Sequence, residues 1–92
     1  MIERRVTITN RLGLHARAAA LLVRTATRYQ SAVRLERVDG TATADAKSIL
    51  SVLMLAASRG TELRTTADGA DEIEAMTSLE SLFASGFGEN DG

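Results

Sequence analysis

Polar and apolar residues alternate from Arg5 to Thr9, with Val6 and Ile8 on one side and Arg5, Thr7 and Thr9 on the other. That two-residue period predicts a short half-buried strand. Asn10-Arg11-Leu12-Gly13 ends it as a loop. From Ala16 to about Arg28 the period turns helical: Ala16, Ala19, Ala20, Val23 and Ala26 or Thr27 form an apolar stripe, while Arg17, Arg24 and Arg28 take another side. The many alanines favour helix and let it lie close against a sheet. Alternation returns over Ala32 to Val38, with Val33 and Leu35 inward, and Asp39-Gly40 signals a hairpin into a weakly apolar strand at Thr41 to Ala44. A short helix is predicted from Ser48 to Ser58, with Ser48 as N-cap and Gly60 as the stop. Glu62 to Ala67 reads as a last strand with Leu63, Thr65 and Ala67 inward. Asp68-Gly69 turns the chain into a final helix with Asp71, Glu72 and Glu74 at its positive end and a stripe of Ile73, Met76, Leu79, Leu82 and Phe83. Gly86 ends that helix, and residues 89–92 are expected to fray.

The order strand, helix, strand, strand, helix, strand, helix predicts an α/β (α+β) two-layer open-faced sandwich. Its four-stranded antiparallel sheet is covered on one face by three helices, in the order βαββαβα. Outward Arg34, Glu36, Glu62 and Arg64 fit a solvated opposite face. No repeat or linker interrupts the series, so residues 1–92 are expected to form a single domain with a modest core. An apolar fraction of 45% with 25% charged residues suits a globular chain. The absence of cysteine excludes a disulfide framework and a thiolate nucleophile, and no metal cluster or cofactor is expected. The longest apolar run, Ile49 to Ala57, is broken by Ser51 and too short to cross a bilayer, which points to a cytoplasmic protein without a membrane role. Net charge is −1, the basic residues being enriched before Lys47 and the acidic ones late in the chain. An arginine-bearing face suits an acidic partner, whereas three aromatics and no basic patch argue against nucleic acid.

The one histidine, in Gly13-Leu14-His15-Ala16-Arg17, stands where the first helix is expected to begin. A lone histidine in a small domain is most often an ordinary surface or capping residue. Here, however, the free N–H groups of Ala16, Arg17 and Ala18 are placed to face an anion. The Arg17 side chain offers two charge-assisted hydrogen bonds to phosphate oxygens. A neutral imidazole is nucleophilic, and Gly13 lets the loop approach closely enough to aim it.

The stretch Ile8-Thr9-Asn10-Arg11-Leu12-Gly13-Leu14-His15-Ala16-Arg17 resembles the active-site segment of the histidine-containing phosphocarrier proteins, the HPr family of the phosphoenolpyruvate-dependent phosphotransferase system. A second likeness follows at Lys47-Ser48-Ile49-Leu50 with Leu53-Met54-Leu55. A third covers Gly60, Ala67-Asp68-Gly69-Ala70 and the closing helix. The resemblance implies the fold reached above and a phosphoryl group accepted on Nδ1 of His15 from enzyme I, attended by Arg17 and passed to an enzyme II A-type domain. Many members carry proline where this chain has Ala18, a change expected to loosen the helix start slightly and to spare the acceptor. Ser48 matches the family's regulatory serine, which a dedicated kinase modifies in some bacteria. Its simpler role is the N-cap. The closing Leu82-Phe83-Ala84-Ser85-Gly86-Phe87 is similar to the nitrogen-related branch, and the sugar-transport branch stays open.

The second helix is apolar nearly all round. Ile49, Val52, Leu55 and Ala56 account for a buried face and leave Leu50, Leu53, Met54 and Ala57 over. Either the helix is wedged deeply, or Leu14, Leu21, Leu50, Leu53 and Met54, rimmed by Arg24 and Arg28, form a small docking patch for transient partners of a monomer. Two other classes compete: a regulatory domain of the same fold acting through contacts and Ser48 phosphorylation, and a small ligand-binding α/β module. Retention of His15 and Arg17 counts against the first, and the short alanine-rich core against the second.

Overall fold

A computed structural model describes residues 1–89. The elements are β1 (Ile2–Thr7), α1 (Ala16–Thr27), β2 (Ala32–Arg37), β3 (Thr43–Asp45), α2 (Ile49–Met54), β4 (Glu62–Asp68) and α3 (Glu72–Ala84), followed by a 3₁₀ turn at Gly86–Gly88. The sheet is antiparallel throughout, with spatial order β1-β4-β2-β3. The expected open-faced sandwich is what forms. Alternation holds β4 in place: Leu63, Thr65 and Ala67 are buried, and Arg64 on the other face lies opposite Glu36, with its Nη1 donating to that carboxylate at 2.8 Å.

Several boundaries differ from the sequence reading for local reasons. β1 starts earlier than Arg5, because antiparallel pairing with β4 continues to Ile2 opposite Ala67. The buried face of α1 is Ala18, Ala19, Leu22 and Ala26, a stripe turned from the one expected, with Ala16 left exposed. Alanine occupies so many positions that the apolar period admits more than one phase. In α3, Ala75 takes the place expected for Ile73, which is 67% exposed.

The largest revision concerns α2. Ser48 caps it as expected, its Oγ accepting from the Ser51 N–H at 3.3 Å. The helix stops at Met54 rather than running to Ser58, since Ala56 turns into the left-handed region at φ 51°. The helical period ends there, so Ala56 faces outward and Ala57 inward, the reverse of the expectation. Arg37 closes the C-terminal end by donating from Nη1 to the carbonyls of Leu55 (3.1 Å) and Ala56 (3.3 Å). No helix among the described residues is long and apolar enough to cross a membrane.

Candidate functional site

His15 is the N-cap of α1, in extended backbone at φ −74°, ψ −180°. Its carbonyl accepts the Ala19 N–H at 2.8 Å, which starts the helix. Its ring folds back over the helix mouth, where Nδ1 accepts the backbone N–H of Arg17 at 3.2 Å. A backbone N–H can only donate, so Nδ1 holds a lone pair and the ring proton sits on Nε2. The side chain is 27% exposed: its ring is reachable, yet fixed in direction.

The loop before it is rigid for identifiable reasons. Gly13 sits at φ +67°, and a Cβ there would lie 2.5 Å from the Ala57 carbonyl oxygen and 2.8 Å from Ser58 Cα. Leu14 N–H donates to that same carbonyl at 2.8 Å, so the histidine loop is docked onto the segment that follows α2. Asn10, 2% exposed, donates from Nδ2 to the Gly13 carbonyl at 2.8 Å and thereby braces the loop from within.

One neighbour was invisible in the sequence. Glu89, expected to belong to a frayed tail, is folded back: Oε2 lies 2.5 Å from His15 Nε2, and Oε1 accepts from Asn10 Nδ2 at 3.0 Å. Its carboxyl is held below the usual range, first by the Asn10 hydrogen bond, then by the His15 ring, with the Arg17 charge adding to both. Residues 90–92 of the expected tail lie outside the described residues. Asn10 lies in the same ten-residue segment as His15 without having been singled out, and no sequence signal could have brought Glu89 forward.

The other expected residues divide. Ala16 and Arg17 are exposed at the mouth of α1, whereas Ala18 is buried in the core cluster. Leu50 (66% exposed) and Met54 (73%) stand out from α2 with Leu53 beside them, as a docking face requires. Leu14 does not join them: it is buried in the core, because the hydrogen bond of its N–H to Ala57 pulls the loop inward. Leu12, in the loop before His15, is 62% exposed and was not among the residues expected to dock a partner. Leu21 is half-buried against the core, with Arg24 and Arg28 exposed on the same helix. Ser48 is half-buried at the start of α2. Among the described residues no cluster of His, Cys, Asp or Glu is suited to hold a metal ion.

Comparison with known proteins fits this arrangement. Residues 2–85 match the family described as the phosphotransferase-system HPr component, phosphorylation site. The chain is 47% identical over 90 residues to the phosphocarrier protein HPr of Xylella fastidiosa, covering 98% of this chain and 99% of that one. It is 42% identical over 87 residues to the phosphocarrier protein NPr of Proteus mirabilis, covering 95% and 96%. A crystal structure of HPr from Thermoanaerobacter tengcongensis superposes with a TM-score of 0.91 at 40% identity, covering 98% of this chain and 99% of that one.

Proposed function

The chain belongs to the HPr family, and from that premise we propose that its phosphocarrier chemistry runs through Nδ1 of His15. The phosphoryl group arrives from enzyme I and leaves to an enzyme II A-type domain, as the family membership implies. The observation that carries the assignment to Nδ1 is the hydrogen bond it accepts from Arg17 N–H, which aims the lone pair at the mouth of α1. Once phosphorus bonds to Nδ1, that N–H is released to a phosphoryl oxygen, and the Ala16 amide and Arg17 guanidinium, on exposed residues of the same first turn, are available to the others. A twelve-residue helix behind the site adds its positive pole.

The docking face is formed by Leu50, Leu53 and Met54 together with Leu12, rimmed by Arg17, Arg24 and Arg28, and it serves both partners in turn. The protein acts in the cytoplasm as a monomer. Ser48 is the regulatory phosphosite if a kinase of the family's kind is present. A phosphate there would favour the start of α2 while placing negative charge beside the docking face. The test is mass analysis after incubation with phosphoenolpyruvate and enzyme I, comparing wild type with His15→Ala. A single acid-labile phosphoryl adduct on wild type alone is expected, and equal labelling of both proteins rejects His15.

A further inference from the structure

We propose that Glu89 is a positioning residue for the relay: its carboxylate keeps the ring proton on Nε2 of His15 while the phosphoryl group arrives and leaves, so that no proton has to move in either step. The inference rests on His15 being the carrier.

Glu89 is tied down on both oxygens, by His15 Nε2 at 2.5 Å and by Asn10 Nδ2 at 3.0 Å. Its side chain is only 13% exposed. Asn10 also holds the Gly13 carbonyl, so the carboxylate is clamped by the residue that shapes the histidine loop. The chain is brought back to the site by a sharp reversal in which Gly86 (φ 62°), Phe87 (φ 59°) and Gly88 (φ 72°) all occupy the left-handed region. That conformation is unfavourable for phenylalanine. It is held because the Phe87 ring is buried and meets Phe83 edge to face, with centroids 5.4 Å apart. A tail merely resting on the surface would need neither the reversal nor the buried ring.

The electron count gives the carboxylate a chemical task. The Nδ1 lone pair forms the bond to phosphorus, and the bond from phosphorus to the donor breaks, its electron pair staying with the donor. His15 is then an N-phosphorylated ring that still carries its Nε2 proton, and therefore a positive charge, which Glu89 faces directly. On delivery the acceptor bonds to phosphorus and the Nδ1–P pair returns to Nδ1, leaving the neutral Nε2–H ring. Without the carboxylate, the charged ring sheds its proton to water, and the neutral ring that remains is a poorer leaving group.

The experiment uses the full chain with ¹⁵N-labelled histidine. In wild type the unphosphorylated ring, held from both sides by Arg17 N–H and Glu89, is expected to show the Nε2–H tautomer alone; in Glu89→Ala, where only the long 3.2 Å bond from Arg17 N–H remains and the ring is free to turn out of it, a mixture of both is expected. Release of the phosphoryl group, to water and back to enzyme I, should slow about three- to tenfold in Glu89→Ala, the loss of one partly exposed charge-assisted hydrogen bond. Glu89→Gln is nearly isosteric, so folding is not in question. It keeps an acceptor oxygen and should retain the tautomer while losing the release rate. A wild-type tautomer signature in Glu89→Ala, or unchanged release in both variants, overturns the proposal. Equal labelling of His15→Ala instead overturns the carrier assignment, and the ring tautomer is read without any phosphorylation.

Discussion

Gly13→Ala tests how tightly the histidine loop is fastened to the segment after α2. Two costs add. A non-glycine residue at φ +67° costs about 1–2 kcal/mol. The new Cβ would also stand 2.5 Å and 2.8 Å from backbone atoms of Ala57 and Ser58, well inside the ordinary contact range of 3.4–4 Å. Relieving an overlap with backbone costs about 1–3 kcal/mol more. Gly40→Ala isolates the first cost, since Gly40 has a similar φ of +79° and nothing within 4 Å. Urea unfolding of both variants should therefore show Gly13→Ala less stable than Gly40→Ala by about 1–3 kcal/mol, or roughly 1–2 M in midpoint at an ordinary slope for a small domain. Where the variant stays folded, phosphoryl acceptance from enzyme I should fall, because the loop can relieve the overlap only by stretching the 2.8 Å bond between Leu14 N–H and the Ala57 carbonyl. Equal losses in the two variants at unchanged slope would refute the close packing of the loop.

Three further outcomes follow from other parts of the molecule. Leu50→Asp places a charge on a 66% exposed side chain, so thermal unfolding should shift little while exchange with enzyme I and the acceptor domain slows at least tenfold; weakened folding with normal exchange would remove Leu50 from the docking face. Ala18→Pro stands in the first turn of α1, where proline suits the backbone, and is expected to gain about 0.4–1 kcal/mol in chemical unfolding with transfer retained; a loss of transfer would show that the Ala18 N–H takes part after all. Asp71 accepts from Ser31 Oγ and from the N–H groups of Gln30 and Ser31, led by the serine hydroxyl, which together hold its carboxyl below the ordinary 3.8. A lowered folded value means the contribution is full above 3.8 and lost as pH falls through the folded value, so the stability difference between wild type and Asp71→Asn should shrink as urea midpoints are followed below pH 3.8; a constant difference would contradict it.

Strands and helices were legible wherever one face had to be buried and the other solvated. Val33 and Leu35 against Arg34, or Leu63 and Thr65 against Glu62 and Arg64, leave a strand no second register. The reading loosened where composition stopped discriminating: alanine in α1 packs in more than one rotation, and the apolar run of α2 hides the left-handed turn at Ala56 that ends it. At the proposed site, His15 and Arg17 were legible as neighbours because one loop-to-helix junction carries both. Asn10 reaches the site through a loop hydrogen bond, and Glu89 arrives from 74 residues away through the folding of the C-terminal turn. Periodicity describes which face is buried, not which distant side chain meets a particular nitrogen.

The helix proposed to dock partners, α2, shows why so small a site needs the rest of the fold. Six residues are too few to form a stable helix alone, and four large apolar side chains of α2, Ile49, Leu50, Leu53 and Met54, stand outward rather than in the core. What holds it is at its two ends and beneath it. Ser48 caps the start, Val52 and Leu55 are buried under it, and Arg37 reaches from β2 to the closing carbonyls. The same C-terminal segment gives the Ala57 carbonyl to Leu14, one residue before His15. The His15 ring and the apolar face are thus set relative to each other by one short stretch of backbone, so under the proposed reading a partner seated on Leu50 and Met54 would meet that ring in a fixed place. It follows that Arg37→Met, which keeps the aliphatic stem and removes the guanidinium, should weaken partner exchange although Arg37 is outside the proposed docking and phosphate residues, and hydrogen exchange at the amides of Leu55 and Ala56 should rise with it. Unaltered protection of those amides would mean that burial of Val52 and Leu55 alone fixes the helix.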